Sequence, residues 1–464
     1  MYKILFSITT LFLLSRGASA QKNIQAFSLN QTVDYAMKNA VEIRNALIDI
    51  DMQRQTNREI TALALPQISA NVGATRFFDI PTTTLPDFIS PAVYGVLVNN
   101  GVKDGNGNTI NFPANGFGFV PARFGTNWNA SGGFEASQIL FDGQIFVGLQ
   151  ARSASMKLAR QSADVTKEMI KANVMKMYYQ LVVGQRQKTS IDVNIDRFEK
   201  LHDDATEIYK NGLIEKLDLD KINVQLNNLK TEKYKVENQL LTGMAALKFM
   251  IQMPQQDSLI LTDSISSDAI QYSLSTDSFS MKNRKEYQQL MTAMELNKYN
   301  IKRYQLSRIP TLAAFGSLSR NAQRNVFNFF QSGEWFPTSL VGVKMTVPIF
   351  DGFARHARIQ KAKYELNKLK NNVQRFEQAV EFEISSARLK WDNAIQTVAA
   401  QERNVKLAES VFNQTKLKYE QGVGSTTEIY NAQTDYKVSE NNYYAALYDA
   451  IIAKIDLMKA LGKL

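Results

Sequence analysis

The chain has 464 residues, with 54 Lys and Arg against 44 Asp and Glu, a formal net charge of +10, two histidines and no cysteine. Without cysteine there is no disulfide framework, so stability must come from packing. The basic excess is interleaved with acids along helical stretches, which is the pattern of solvated helix faces and argues against a nucleic-acid partner.

The first twenty residues, MYKILFSITTLFLLSRGASA, place Lys3 ahead of an apolar core from Ile4 to Leu14 and end in Ala18-Ser19-Ala20. That is the form of a cleaved secretory signal, with a core too short to span a bilayer. Gln21 is the expected mature start, and since it is not Cys no lipid anchor is expected there. A helix of roughly 25 to 35 residues follows, judged by its 3.6-residue apolar period and by Pro66, which ends it. Beyond the proline, Ile68, Ala70, Val72 and Ala74 alternate with polar or small residues, as a strand does. Residues 79–126 are rich in Pro, Gly and Asn without a sustained period, and read as a long loop. A second strand returns through Trp128, Ala130, Gly132, Phe134 and Ala136. At Asp142-Gly143 the period changes, and no proline interrupts the chain from Gly143 to about Lys210. Gly212 then marks a turn, and a returning helix runs from about Glu215 to Met250. Residues 255–282 are polar and broken, and read as a connector.

From Asn283 the same order begins again. Asn39 to Pro66 and Asn283 to Pro310 span the same interval, and Phe141-Asp142-Gly143 is answered by Phe350-Asp351-Gly352. The turn at Gly212 is answered at Gly422. The interval from the proline to the Asp-Gly pair is 76 residues in the first half and 41 in the second, which puts the difference in the 79–126 loop. In the second half Val341, Val343, Met345, Val347 and Ile349 share one strand face. From Phe353 to about Glu420 the residues Val380, Ile384, Ala387, Trp391, Ala394 and Val398 step by three and four, a coiled-coil seam. Helices of this length reach on the order of 100 Å. The return helix runs from Thr426 to Leu461. The chain is thus read as a signal (1–20), a first repeat (21–254), a connector (255–282) and a second repeat (283–464).

Four strands of about ten residues, apolar on one side, carry the signature of an outer-membrane barrel. Four strands cannot close a barrel, and an open edge in lipid leaves backbone groups unsatisfied. The chain must therefore oligomerise to close its sheet. A soluble periplasmic coiled coil with two hairpins is the competing reading; it does not explain why both hairpins feed such long helices.

The proline-led strands, the doubled FDG exit and the YxxG…NAQ turn resemble the TolC-like outer-membrane efflux proteins over essentially the whole mature chain. That resemblance implies a mixed α and β membrane fold. It implies a homotrimer whose two β-hairpins per chain form one shared twelve-stranded barrel, continued by a long periplasmic α-helical coiled-coil tunnel. It implies an exit duct of a tripartite efflux or type I secretion system, set in outer-membrane lipid and working with a periplasmic adaptor and an inner-membrane pump. The turns at Gly212 and Gly422 would be the periplasmic tip, with Leu213, Ile214 and Val423 offered to the adaptor; ordinary helix caps explain the glycines equally well. The family's gate tyrosine corresponds to Tyr419 and its aspartate to Asp218, while its arginine is replaced by Gly424. The family's two constriction aspartates correspond to Glu428 and Asn431, with Asp220 nearby. A ring of three Glu428 carboxylates would favour cations; a solvated surface glutamate is the alternative.

The Asp-Gly pairs have a mechanical reading. Asp142 and Asp351 cap the helices that follow, and Gly143 and Gly352 permit the bend. Phe141 and Phe350 suit an aromatic girdle, or else pack as core. Trp335 and Phe336 are girdle or loop residues, and Arg355, His356 and Arg358 form a solvated or headgroup-facing helix start. Isolated His202 and His356, with no HExxH and no phosphate loop after a strand, give no enzyme, metal or cofactor site. A structural envelope or surface-binding protein, acting through the region from Thr75 to Thr126, is the alternative function.

Overall fold

The computed structural model of the chain describes residues 24–265 and 279–464. The signal segment, its expected end at Gln21 and the middle of the connector lie outside the described residues. The elements in order are β1 (Ile24–Phe27), α1 (Leu29–Asn39), α2 (Val41–Ala62), β2 (Gln67–Arg76), β3 (Thr82–Pro86) and α3 (Ile89–Asn99). They continue with β4 (Phe119–Arg123), β5 (Trp128–Phe141), α4 (Gly143–Lys210), α5 (Lys216–Met250) and β6 (Ser258–Leu261). The remainder is α6 (Lys285–Leu306), β7 (Thr311–Arg324), β8 (Phe336–Thr346), α7 (Ala354–Glu420) and α8 (Thr426–Ala460). Two compact units divide the chain: residues to Thr56 with Ala151–Ile301 and Gln360–Leu464, and Asn57–Gln150 with Lys302–Ile359.

The first unit is helical. Proline-free sequence lets α4 run 68 residues and α7 run 67. The expected seam of α7 is buried: Val380, Ile384, Ala387, Trp391, Ala394 and Val398 share a core with Ala446, Leu447, Ala450, Ile451 and Leu457 of α8. Near the glycine turns Phe198 and Leu201 of α4, Leu226 of α5, Phe412 of α7 and Tyr436 of α8 share one core. At the other end of this unit the connector contributes β6, which pairs in parallel with β1, Phe27 opposite Leu261. Tyr178, fully buried, ties this pairing down: its hydroxyl donates to the Phe27 carbonyl (3.1 Å) and accepts from the Asp263 amide (3.3 Å). Strands of four residues have too little periodicity to be read, so the connector looked merely broken.

The second unit is a four-stranded antiparallel sheet in the order β2-β5-β7-β8, which leaves β2 and β8 as edges. Register places Val72, Phe134, Leu318 and Val341 on one face, and Ser69, Glu135, Ser317 and Asn321 on the other. The apolar face is uncovered: Val72 is 91% exposed and Val341 89%. No helix among the described residues is long and apolar enough to cross a membrane.

Three expectations need correction. The first helix of each half is shorter than expected: α2 and α6 are 22 residues each, because Ala40 (ψ 132°) and Arg284 (ψ 124°) are extended and break the chain ahead of them. The 79–126 stretch is not plain loop. β3 pairs with β4, and α3 stands between them, with Asp87 Oδ1 accepting from the Ile89 and Ser90 amides (3.1 and 2.8 Å). Five-residue strands and an eleven-residue helix that is apolar on all sides carry no readable period. Finally, β8 ends at Thr346, short of Val347 and Ile349. Pro348 has no N–H to donate and restricts the residue before it.

Candidate functional site

Both glycine turns are Schellman caps. Gly212 (φ 72°) donates to the Tyr209 carbonyl (2.8 Å) and Leu213 to that of Ile208 (3.1 Å). Gly422 (φ 73°) donates to Tyr419 (3.0 Å) and Val423 to Lys418 (3.1 Å). Positive φ makes glycine the favoured residue at each. In such caps the residue after the glycine usually packs back on its helix, yet Leu213 and Val423 are each 75% exposed. Ile214 behaves differently from expectation: it turns inward against the shared tip core.

The helices that leave the turns carry the gate candidates. Ser425 caps α8, its Oγ accepting from the Glu428 amide (3.2 Å), which fixes the backbone under Glu428 and leaves its carboxylate exposed. Asn431, one turn on, borders a groove between α5 and α8 with Leu217, Asp220, Lys221 and Tyr430. Asp218 is held by Lys221 (3.4 Å) on its own helix. Tyr419 packs its ring on the tip core, and its hydroxyl is buried with no hydrogen-bond partner among the described residues. Asp218 and Tyr419 are therefore near one core without being bonded to each other. Gly424 is more than a missing arginine. Its amide also donates to the Lys418 carbonyl (3.1 Å), and a Cβ there would lie 2.9 Å from the Tyr419 nitrogen.

Behind the tip the helices enclose polar groups that the apolar seam hid. Fully buried Gln433 of α8 donates from Nε2 to Asn194 Oδ1 of α4 (3.0 Å). Asn194 Nδ2 and Ser190 Oγ both donate to Glu440 Oε2 (3.2 and 2.6 Å), while Gln433 Oε1 has no partner among the described residues. Arg197 lies 5.8 Å from the Phe412 ring and 5.7 Å from that of Tyr436, and these two rings stack. Burial pushes the Tyr436 phenol up to about 12. Ion pairs fasten the same level: Lys233 and Lys188 both reach Asp192 (2.7 and 3.0 Å), Lys230 reaches Glu199 (2.8 Å), and Lys437 pairs with Glu232. The Lys233 hydrogen bond is the main reason that Asp192 sits below the usual carboxylate range. The NAQ run that contains Gln433 was the one sequence signal for this layer.

At the strand-to-helix junctions both aspartates are caps. Asp142 Oδ1 accepts from the Gln144 amide (2.7 Å), and Asp351 Oδ2 from the Arg355 amide (3.0 Å) and its Nε (3.2 Å). The glycines differ. Gly352 (φ 60°), followed by Phe353 (φ 64°), makes the expected bend. Gly143 is instead the first residue of α4, where a Cβ would sit 2.9 Å from the Leu306 carbonyl oxygen, so close packing and not a bend excludes a side chain. A bulge between Ile139 and Phe141 turns Phe141 onto the apolar face beside Leu312. Phe350 and Phe353 are 76% and 73% exposed, with rings 5.6 Å apart. Trp335 packs on Phe329, whereas Phe336 opens β8; Arg355 serves the cap, and His356 and Arg358 are exposed.

A four-stranded sheet and very long helices that turn at paired glycines make a fold that solved outer-membrane proteins share. CusC, described for transmembrane channel formation, superposes with a TM-score of 0.72 at 15% identity, over 97% of this chain and 95% of that one. Residues 280–463 match the family described as outer membrane efflux protein. The outer membrane efflux protein BepC of Brucella suis is 25% identical over 166 residues, 36% of each chain. The outer membrane protein TolC of Vibrio cholerae is 20% identical over 339 residues, 72% of this chain and 77% of that one. Over residues 280–463 the chain thus resembles outer membrane efflux proteins, and it spans about a third of the length of BepC. The fold is the one that CusC has.

Proposed function

We propose that the protein is the exit duct of a tripartite efflux or type I secretion system, passive itself and driven by a separate inner-membrane pump. The observation that carries this is the sheet: four strands that, among the described residues, have an uncovered apolar face and two unpaired edges. Such a sheet is stable in lipid only when closed. Three copies supply twelve strands, with Val72 and Val341 outward and Ser69, Glu135 and Ser317 lining a wet lumen. Within this reading the halves 21–254 and 283–464 are two structural repeats, and α4, α5, α7 and α8 form the periplasmic tunnel. The tip at Gly212 and Gly422 docks a periplasmic adaptor through Leu213 and Val423, whose exposure a helix cap alone does not require. Asp218, Tyr419, Glu428 and Asn431 belong to the gate, with Glu428 contributing the charged ring.

The test is conductance in planar bilayers. The purified oligomer is expected to open ion-conducting pores that prefer cations, and Glu428→Gln to reduce that preference by about half or more while leaving assembly intact. No conductance, even with tip substitutions that unseat the turns, would sink the duct reading. Pores with unchanged selectivity in the variant would remove Glu428 from the constriction.

A further inference from the structure

The outward face of the sheet carries cations that a duct does not need. Arg76 of β2, Trp128 of β5 and Arg324 of β7 lie in one register row, at the end remote from the helices. Arg320 lies four residues nearer the helices, in the row of Val72 and Gly132 and on the same apolar face. These arginines are not equivalent. Arg324 turns into the β7–β8 loop, where Nη1 donates to Asn328 O and Oδ1 (2.5 and 3.0 Å) and the guanidinium stacks 5.3 Å from the Phe329 ring. It folds that aromatic loop over Ala130 and Ala322. Arg76 is exposed, 4.7 Å from the Phe78 ring and 5.6 Å from that of Trp128. Arg320 is also exposed, and neither it nor Arg76 is in an ion pair among the described residues.

Position decides what could pair with them. The ten residues of β2, tilted as barrel strands are, rise about 25 Å from Gln67 to Arg76, which is the height of an outer-membrane apolar band. Arg76 therefore stands at the outer boundary, among Trp128, Phe327 and Phe330, with Phe141 and Phe350 marking the inner one. Arg320 starts below that boundary and reaches it by extending along the sheet. Two strands across and four residues along separate their Cα atoms by about 16 Å. The floor between them is apolar: Val72 is 91% exposed, Leu318 60% and nearby Phe78 81%. A soluble anion has no use for such a floor, and a neutral lipid leaves both guanidinium groups uncompensated.

We infer that Arg76 and Arg320 form a docking surface for a phosphate-bearing lipid of the outer leaflet, with its acyl chains against Val72, Phe134 and Leu318. Guanidinium pairs with phosphate by charge-assisted hydrogen bonds, and the Phe78 and Trp128 rings hold Arg76 ready for it. This inference rests on the barrel reading above.

The chain's three tryptophans provide the probe, because Trp128 and Trp335 lie at this boundary while Trp391 is buried in the helices. The full-length oligomer is placed in phosphatidylcholine nanodiscs with a small fraction of bis-phosphorylated lipid A bearing brominated chains, and tryptophan quenching is read. Quenching is expected to exceed several-fold that from the same fraction of brominated phosphatidylcholine, and to fall to that level in Arg76→Gln/Arg320→Gln. Arg76→Lys/Arg320→Lys, which keeps the charge, is expected to retain most of the excess. Should the double glutamine variant not assemble, Arg320→Gln alone is expected to lose at least half of it. Equal quenching in wild type and glutamine variants, or by dephosphorylated lipid A, would overturn the inference and leave the duct standing. Absence of quenching by nanodiscs made wholly of brominated phosphatidylcholine would overturn the barrel reading itself.

Discussion

Gly424 shows how one residue can be misread when only its family counterpart is considered. Where relatives place a gate arginine, a glycine suggests a weakened lock. In the structure the position is filled by backbone: Gly424 donates to Lys418 and leaves no room for a Cβ beside the Tyr419 nitrogen. The turn is closed by main-chain packing where a side-chain bond would otherwise do it, and the Tyr419 hydroxyl has no hydrogen-bond partner among the described residues. Restoring the arginine should therefore loosen the tip. Gly424→Ala is expected to destabilise the turn by about 1–3 kcal/mol, the usual range for overpacking, and Gly424→Arg by no less. Both should raise the open fraction in single-channel recordings. A Gly424→Arg protein that stays closed longer than wild type would show that the side-chain lock, and not the packing, governs this gate.

At the scale of elements, the long helices join through a layer that is half apolar and half polar. Asn194 and Gln433 sit in the shared core of α4 and α8, bonded to each other, with Gln433 Oε1 left without a partner among the described residues. A buried polar group with an unmet acceptor disfavours the closed packing relative to a state in which water reaches it. Such a layer lets α8 separate from α4 without exposing a fully apolar seam. Replacing both partners with similar-sized apolar residues removes the penalty on both sides, so Asn194→Leu/Gln433→Leu is expected to raise the melting temperature and to lower channel opening together. Asn194→Ala alone, which leaves the buried Gln433 Nε2 without its acceptor while Ser190 still donates to Glu440, should do the reverse by about 1–3 kcal/mol. If the double leucine protein opened as readily as wild type, the layer would have no part in opening. Sequence made the helices legible and this layer nearly invisible, for a physical reason. Helix extent follows from uninterrupted propensity and from a seam such as Ile384 to Val398, both local properties. Whether Gln433 faces the core or solvent depends on α4, more than two hundred residues away. Gly143 was missed in the same way, since its constraint comes from Leu306, and β1 and β6 because four residues hold no pattern until they pair.

For the whole molecule the decisive property is which face of the sheet meets lipid. Register gives the faces opposite chemistry, and the barrel reading makes the face of Val341 outward and that of Ser317 inward. These residues are near mid-strand, so substitutions at them probe the bilayer's middle. An arginine on the lipid side there is unfavourable by roughly 2–4 kcal/mol, falling toward zero at the interfaces. Val341→Arg is therefore expected to shift urea-dependent folding into phosphatidylcholine vesicles by that amount in each protomer, and to cut the yield of assembled oligomer. Ser317→Arg, beside Glu135 across the β5–β7 pair, should assemble normally and change only ion selectivity. The native Arg320 does not contradict this expectation, because it stands nearer the outer end and can reach headgroups that Val341→Arg cannot. Were Ser317→Arg to block assembly while Val341→Arg was tolerated, the faces would be inverted. The polar side would then have to meet lipid, which no closed barrel of these strands permits.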